Sequence, residues 1–312
     1  LETYTSNQQG GFQMVGTVNN GRFGSSVSGC GDINEDGFGD VVIAAPLEGD
    51  GVAYVRFGRG GLFSTIVMDQ FTATFHGYRI YGPSLTSLIR VMAVTSVGDM
   101  NNDGIADFAV SFAAANVAGV GNETGIVYVN YGGGSSFQDI HLSNLTTFNG
   151  IKIMGKDPYS HFGSTLASAG DVNGDGFDDV IIGARAASPP TKNNAGISYV
   201  LFGKASGFTE IDLASYSFDS TKGFQIYGGF VNNYVGVVVH GGFNINNDAF
   251  SDIAVVSTFQ GFVCVLFGHS VATAFDTIDL NDLNSFSQSW GFRIVALTSG
   301  LDWEGISLGS GD

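Results

Sequence analysis

The chain has 312 residues, room for one large all-β domain or two ordinary ones, and it contains 47 glycines but only 5 prolines. Its formal charge of −17 makes nucleic acid and anionic membrane surfaces poor partners, because both reward clustered lysine and arginine. Its longest apolar stretches are short strands such as residues 41–45, far below the roughly 20 residues of a spanning helix, so we expect no membrane insertion.

One sequence pattern recurs along the whole chain. An acidic loop starts at Asp32, Asp99, Asp171, Asn244 and Asp312, at spacings of 67 to 73 residues. We therefore assign a single domain over 1–312, with approximate repeats at 11–76, 77–149, 150–222 and 223–290 and a partial repeat at 291–312. A parallel β-helix has much shorter rungs, and helical repeats would need an apolar spacing that is absent here.

Each repeat contains four predicted strands in the same order. In the first repeat, an alternating strand begins at Gly11 (GFQMVG), and a second strand enters the acidic loop after the step Phe23-Gly24. An apolar strand leaves the loop, and a tyrosine-bearing strand begins at Gly51 (GVAYVRFG). Four short strands in about 70 residues predict an all-β fold, a β-propeller of four-stranded antiparallel blades.

The acidic loops place oxygen-bearing side chains at positions 1, 3, 5 and 9, and position 7 can add a backbone carbonyl. Alternate positions on a curled backbone point to one centre, and carboxylates gathered there repel one another unless a cation lies between them. An all-oxygen set favours Ca²⁺. The predicted ligands are Asp32, Asn34, Asp36, Phe38 and Asp40 in loop one, Asp99, Asn101, Asp103, Ile105 and Asp107 in loop two, Asp171, Asn173, Asp175, Phe177 and Asp179 in loop three, and Asn244, Asn246, Asp248, Phe250 and Asp252 in loop four.

Two other kinds of loop share parts of this pattern. An EF-hand requires glutamate at position 12, where the first three loops have Ile43, Val110 and Ile182. A plain turn would use the same side chains only to accept backbone N–H groups, but three loops with identical spacing favour three calcium sites. In loop four Ala249 replaces the glycine of position 6, so that loop must strain a non-glycine residue or change its turn, and a fourth site stays open.

The order of these motifs resembles the FG-GAP repeat of the integrin α-subunit propeller and of secreted microbial FG-GAP proteins. The resemblance rests on four motifs: the FG step, the DxNxDGxxD loop, the strand ending at Ala44-Ala45-Pro46 and the GxxYVxFG strand. The resemblance implies calcium at one face of a ring, usually of seven blades, of which this chain would be an incomplete part. It also implies an extracellular or cell-surface adhesion or ligand-binding module.

The expected partners are therefore an extracellular protein or glycan ligand, or copies of the chain itself. We expect no catalytic residues; the GxSxG motif at 305–309 aligns with the repeat, so Ser307 is not predicted to be a nucleophile. Two alternatives stay open, a structural subunit of an extracellular fibre or matrix and an accessory module of a larger secreted hydrolase.

Further residues bear on compartment and specificity. Asn122 and Asn144 begin glycosylation sequons, which are typical of secreted glycoproteins. Cys30 and Cys264 are predicted to be buried thiols, since two cysteines cannot make a disulfide framework for this length. The variable segments 112–124 and 184–195 are predicted to set ligand specificity, with calcium fixing the loops that shape the binding face.

Overall fold

The computed structural model describes residues 11–61, 65–73, 76–83, 92–133, 137–143, 149–205, 210–257, 261–270, 277–281 and 290–295. Within these ranges the regular structure consists of short strands and short 3-10 segments, among them Met68–Gln70. No helix in the described ranges is long and apolar enough to cross a membrane. The strands are β1 (Met14–Val15), β2 (Val27–Gly31), β3 (Asp40–Ala45), β4 (Val52–Arg56), β5 (Ile66–Val67), β6 (Gly77–Tyr81), β7 (Val94–Gly98), β8 (Asp107–Phe112), β9 (Ile126–Asn130), β10 (Ile140–His141), β11 (Gly150–Met154), β12 (Phe162–Gly170), β13 (Asp179–Ala184), β14 (Ile197–Leu201), β15 (Glu210–Asp212), β16 (Gly223–Tyr227), β17 (Val239–Phe243), β18 (Asp252–Ser257), β19 (Phe262–Leu266), β20 (Ile278–Asp279) and β21 (Gly291–Val295).

Four sheets share one internal order. The first is an antiparallel meander of β2, β3, β4 and β6, and the same meander is made by β7, β8, β9 and β11, then by β12, β13, β14 and β16, and then by β17, β18, β19 and β21. The first strands of neighbouring sheets pack side by side. These sheets confirm the predicted all-β fold with antiparallel blades of a β-propeller, and among the described residues they do not close into a ring.

A fifth strand, which the sequence did not predict, completes the outer edge of three blades. Strands β10, β15 and β20 run parallel to the last meander strand of the preceding blade, and β5 pairs with β1 in the same way. Each of these strands belongs to one repeat but pairs with the blade formed by the repeat before it. Consecutive blades are therefore linked by backbone hydrogen bonds as well as by packing.

The sheets are offset by one strand from the approximate sequence repeats. The alternating GFxI strand that opens each repeat becomes the fourth meander strand of the preceding blade, as β6, β11, β16 and β21 show. The strand β1 has the same place in a sheet with β5. A structural unit therefore begins at the strand that enters an acidic loop.

The apolar core lies between neighbouring blades. All six residues of β8 are buried, and successive side chains face opposite sides: Val110 packs in a cluster with blade one, and Ala109 packs in a cluster with blade three. Because both faces of a blade are covered, its central strands are continuously apolar rather than alternating. Burying one such large side chain stabilises the fold by about 1.5–3 kcal/mol.

The FG step contributes an aromatic contact within each blade that keeps it. Phe162 packs edge-on against Tyr199, with ring centroids 5.5 Å apart, and Phe23 packs in the same way against Tyr54. In blade four these two places are taken by Val235 and Cys264, which share one buried cluster. Cys30 and Cys264 are both buried and free, which confirms their predicted structural role.

Candidate metal centre

Each acidic loop joins the innermost strand of a blade to the next strand. A β-bulge precedes every loop, because the pairing register shifts by one residue just before it, for instance between Gly29 and Gly31 in blade one. A bulge increases the local bend of a strand. All four loops consequently leave their strands in the same direction and lie at the same end of the blades.

The side chains of loop one hold the backbone in a tight curl. The Asp32 carboxylate accepts the N–H groups of Asp36 at 3.0 Å and Gly37 at 2.8 Å. The Asn34 amide accepts the Asp36 N–H at 3.2 Å and donates to the Asp36 carboxylate at 3.0 Å. Positions 1, 3 and 5 are thereby brought together in space, as the spacing predicts.

Loops two and three repeat this network. Asp99 accepts the N–H groups of Asp103 at 3.1 Å and Gly104 at 2.8 Å, and Asn101 donates to Asp103 at 2.9 Å. In loop three Asp171 accepts from Asp175 at 3.1 Å and from Gly176 at 2.9 Å, and Asn173 donates to Asp175 at 2.9 Å. Identical bonds in three copies show that the shared sequence specifies one loop conformation.

The aspartate at position 9 has a different environment. Asp40 is buried, and its two oxygens accept the N–H of Ile33 at 3.0 Å and the N–H of Gly58 at 2.8 Å. Asp107, Asp179 and Asp252 accept the equivalent pair of amides in the other blades. This residue therefore ties the acidic loop to the turn that follows the tyrosine strand.

Burial raises the pKa of these closing carboxyl groups. The pKa of Asp40 is raised to about 6 and that of Asp107 to about 7, in both cases mainly by desolvation and against the effect of the two amide donors. The carboxylates at positions 5 and 1 raise it further. Burial likewise raises the pKa of Asp179 well above its ordinary value. A cation in the loop would favour the ionised form instead.

Two positions of the curl have left-handed backbone. Gly37, Gly104 and Gly176 at position 6 have φ angles of 87°, 87° and 89°, as their glycines predict. Position 4 is left-handed as well, with φ of 57° at Glu35 and 54° at Asn102. The left-handed backbone at position 4 is not among the sequence predictions, although loops two to four have Asn or Gly there, which are the residues that favour this conformation.

Of the two outcomes left open for loop four, the structure has the changed turn. Ala249 is not among the residues with positive φ, so this loop avoids strain by altering the turn at position 6. The Asn244 amide donates to the backbone oxygen of Asp248 at 2.7 Å, a bond that the aspartate of the other loops cannot make. Asn246 still donates to the Asp248 carboxylate at 2.8 Å. The loop keeps the curl with one fewer carboxylate.

The oxygen atoms of loops one to three fit a hard cation at positions 1, 3 and 5. A carboxylate or amide oxygen that accepts one N–H keeps a second lone pair for a metal. In the described ranges, however, no group of three or more His, Cys, Asp or Glu side chains that could hold a metal ion is present. The closing aspartate is directed to backbone amides, and the hydrogen bonds of the plain-turn alternative are all formed. Calcium at these loops accordingly stays a prediction.

Backbone bonds connect acidic loops one, two and three to the blade that follows each of them. The carbonyl oxygens of Ile33, Met100 and Val172 at position 2 accept N–H groups from the following blade at 2.8, 2.8 and 3.0 Å. The Asp178 carboxylate in loop three also accepts the N–H of Asp99 in loop two at 2.7 Å. An ordered loop therefore stabilises the loop before it.

The variable segments 112–124 and 184–195 follow β8 and β13 and lie at the opposite strand ends from the acidic loops. The expectation that the acidic loops shape the face formed by these segments was wrong, because a six-residue strand of roughly 20 Å separates them. The Tyr159 N–H donates to the Asn122 carbonyl at 2.9 Å, and the Asn232 N–H donates to the Asn193 carbonyl at 2.9 Å. The two variable segments are thus joined to the loops that enter the next blade.

Exposed apolar side chains mark this second face, which we call the distal face: segments 112–124 and 184–195 together with loops 155–161 and 228–238. Tyr159 is 57% exposed, Phe230 45% and Val231 51%. The Asn122 side chain is exposed on the same face. Asn144 and Ser307 lie outside the described residues, as does the start of the fifth loop at Asp312.

Comparison with known proteins agrees with this architecture. The FG-GAP repeat family model matches residues 23–55 and 162–201, which contain acidic loops one and three. The chain is 27% identical to integrin alpha pat-2 of Caenorhabditis briggsae over 254 residues, 78% of this chain and 18% of that protein. It is 28% identical to integrin alpha-5 of Xenopus laevis over 177 residues, 55% of this chain and 14% of that protein.

A relative of another kind is the phosphatidylinositol-glycan-specific phospholipase D of Bos taurus, 27% identical over 232 residues, 69% of this chain and 24% of that enzyme. The chain spans about a fifth of the length of these relatives. The family match, the integrin α relatives and the four meander blades lead to one conclusion: the chain carries FG-GAP repeats, folded as blades of a β-propeller that resembles the integrin α propeller.

Proposed function

We propose that this chain is an extracellular, calcium-binding propeller module that binds a protein or glycan ligand through its distal face and catalyses no reaction. Its similarity to integrin α chains supports a role in adhesion or ligand binding. The chain covers only part of those proteins, so their roles are carried over to it as a hypothesis.

Charge supports the calcium part of the proposal. Each of loops one to three places three carboxylates at its predicted ligand positions, in a chain whose formal charge is −17. A divalent ion at each loop offsets part of this repulsion, and a site of modest affinity suits the millimolar calcium found outside cells. The exposed sequon residue Asn122 agrees with an extracellular location.

The exposed aromatic side chains of the distal face support the proposal that this face binds a ligand. Tyr159 and Phe230 stand on equivalent loops of neighbouring blades, and backbone bonds to the variable segments hold both loops in place. Exposed aromatic residues on a pre-organised surface are typical of the centre of a protein interface. The acidic loops at the other end would stabilise the folded blades and would not contact the ligand.

Substitutions at the two faces test this proposal. The chain is labelled and applied to a panel of immobilised extracellular-matrix proteins and glycans, and Tyr159→Ala and Phe230→Ala are measured on every surface that binds. We expect each substitution to weaken binding at least tenfold, as for buried aromatic anchors. Phe38→Ala and Ile245→Ala are matched controls, because both side chains are exposed on the acidic loops. Equal losses for both pairs, or binding to no surface, would contradict the proposal.

The phospholipase D relative favours a second candidate, a non-catalytic module of a larger secreted hydrolase. The purified chain would then hydrolyse no phosphatidylinositol-glycan by itself but would raise the turnover of a hydrolase domain fused to it. Hydrolysis by the isolated chain would contradict both candidates.

A further inference from the structure

Neighbouring blades are joined on the distal face by a short backbone pairing that occurs twice with the same pattern. Between blades two and three, three N–H groups of residues 159–162 donate to the carbonyl oxygens of residues 122–124 at 2.9, 3.2 and 3.0 Å. Between blades three and four, three N–H groups of residues 232–235 donate to the carbonyl oxygens of residues 193–195 at 2.9, 3.2 and 2.9 Å. The two junctions therefore correspond residue by residue: Asn122 to Asn193, Thr124 to Ala195 and Tyr159 to Asn232.

The first difference between the two junctions is a threonine. Thr124 is fully buried, and its hydroxyl donates to the Gly121 carbonyl oxygen at 3.0 Å. Ala195 is equally buried and forms the same backbone pairing without a hydroxyl. The fold of the junction therefore does not depend on threonine at this place. What Thr124 does complete is the sequon that begins at Asn122, which the junction with Ala195 lacks.

The second difference is the residue with left-handed backbone three places before the FG step. Tyr159 has φ of 59°, Asn232 has 58° and Asn20, at the matching place before Phe23, has 60°. Asparagine tolerates this conformation, whereas a bulky residue such as tyrosine adopts it at a cost in energy. The Tyr159 side chain is 57% exposed, so packing in the core does not account for it. A contact beyond the polypeptide would account for a tyrosine here.

We propose that Asn122 carries an N-linked glycan and that the first sugar of this glycan packs against the ring of Tyr159. The backbones of the two residues are joined by a 2.9 Å hydrogen bond, and both side chains are exposed on the distal face. Stacking of the apolar face of a pyranose ring on an aromatic ring removes apolar surface from water. The threonine and the tyrosine thus have one explanation, because they occur together at the junction that contains the sequon.

The modification is a transfer from a lipid diphosphate-linked oligosaccharide to the asparagine side chain. A bond forms between the Asn122 amide nitrogen and the anomeric carbon of the sugar, and the bond between that carbon and the diphosphate oxygen breaks. The lipid diphosphate leaves, and the amide nitrogen loses one proton. The Thr124 hydroxyl, which the transferase must reach, is buried in the folded chain. The transfer therefore precedes the packing of blade three on blade two.

This inference rests on the extracellular location in the proposed function, since the transfer takes place in the secretory pathway. It also adds a form of regulation to the distal face. The glycan competes with a ligand for Tyr159 and leaves Phe230, on the corresponding loop of the next blade, uncovered. Binding that uses Tyr159 is accordingly strongest in molecules whose Asn122 is unmodified.

Peptide mapping tests the modification. The full chain is secreted from a eukaryotic host behind an added signal peptide and treated with peptide-N-glycosidase, which converts a glycan-bearing asparagine to aspartate. We expect this conversion at Asn122, its loss in Thr124→Ala and its retention in Thr124→Ser, which keeps a hydroxyl. Thr124→Ala made without glycan in bacteria should keep its fold, because Ala195 occupies the equivalent place. This variant therefore separates loss of the sequon from loss of structure.

Melting temperatures test the contact with Tyr159. We expect the glycosylated chain to melt about 1–3 °C above Asn122→Gln made in the same host. This difference should disappear when both proteins also carry Tyr159→Ala, as in a double-mutant cycle. Phe230→Ala is the matched control, because it removes an exposed aromatic ring from the corresponding loop of the next blade, and the difference should then remain.

Two results would overturn the proposal. One is a secreted, folded chain in which Asn122 is unmodified. The other is a glycan-dependent rise in melting temperature that is absent, or that is equal with and without Tyr159→Ala. Neither measurement uses a ligand, so failure of the chain to bind any matrix protein or glycan would contradict the proposed function and leave these results standing.

Discussion

The closing aspartate of each acidic loop combines a potential charge with nearly complete burial. Asp107 is fully buried, and its oxygens accept the N–H groups of Met100 at 2.9 Å and Gly132 at 2.9 Å. Two amide donors stabilise a carboxylate, yet burial raises the pKa of Asp107 to about 7. Without a cation this side chain favours the protonated form up to near-neutral pH.

This pKa predicts how stability depends on pH in excess chelator. Because the pKa is higher in the folded than in the unfolded chain, the folded state binds more protons between about pH 4 and pH 7. The free energy of unfolding should therefore fall as the pH rises through that window and level off above it. Asp107→Asn should flatten the fall by at most about 4 kcal/mol, measured by urea unfolding at each pH.

The control for this prediction is Asp219→Asn. Asp219 is exposed, and its hydrogen bonds to Lys222 and Thr221 lower its pKa to about 2, so its substitution should leave the fall between pH 4 and pH 7 in place. A pH profile of Asp107→Asn that matches the unsubstituted chain would show that the buried carboxyl group is ionised throughout.

At this scale the sequence predicted which residues form each loop but not where every side chain is directed. Spacing alone placed positions 1, 3 and 5 together, because the curl is local and its glycine is visible in the sequence. The direction of Asp40 depends on Gly58, which is 18 residues away and belongs to another strand. Such a non-local partner leaves no periodic signal.

Between elements, the glycine before an acidic loop sets how closely two blades approach. Gly98 has φ of 76°, and a Cβ there would lie 2.0 Å from the Asp178 carboxylate of the next blade. That carboxylate accepts the Asp99 N–H, so it cannot move without losing a hydrogen bond. The close approach of blades two and three at this rim therefore requires glycine.

We predict that Gly98→Ala lowers the free energy of unfolding by about 2–4 kcal/mol, since it adds a steric conflict to a left-handed residue. Gly119→Ala is the matched control: its φ is 80°, but no atom lies within 4 Å of the added Cβ. That substitution should cost only about 1 kcal/mol. Equal effects in chemical denaturation would mean that backbone conformation alone, and not blade contact, decides the outcome.

The sequence predicted the four meander strands because each has a landmark that recurs in every repeat. It did not predict the fifth strand, since β10 and β20 are only two residues long and their partners lie in the preceding repeat. The residues that form the ion pairs Arg79–Asp139 and Lys152–Glu210 can be read in the sequence. Only the register of the sheet shows that they face each other.

For the whole molecule, the loops at one rim form a connected row, so ions bound there should stabilise all the blades. We predict that excess chelator lowers the melting temperature and that added calcium restores it. Each site filled at tenfold its dissociation constant would add about 1.4 kcal/mol. Asp36→Ala and Asp175→Ala should each remove part of the calcium-dependent rise, as measured by scanning calorimetry.

Asp248→Ala serves as the comparison, because loop four has lost the carboxylate of position 1 and the glycine of position 6. Its calcium-dependent rise should change less than that of Asp36→Ala. A melting curve that is the same in chelator and in calcium would contradict the calcium proposal but would not bear on ligand binding at the distal face.

Because blades one, two and three receive their outermost strand from the following repeat, none of these three can be finished when its own residues leave the ribosome. The last residue of β6 is Tyr81, and its parallel neighbour β10 starts at Ile140, so 59 further residues must be synthesised before blade one can receive its fifth strand. At roughly 5–20 residues per second this delay lasts roughly 3–12 seconds. Synthesis should therefore proceed with one incomplete sheet always at the growing end, and that sheet is where a pause in translation or a chaperone would act.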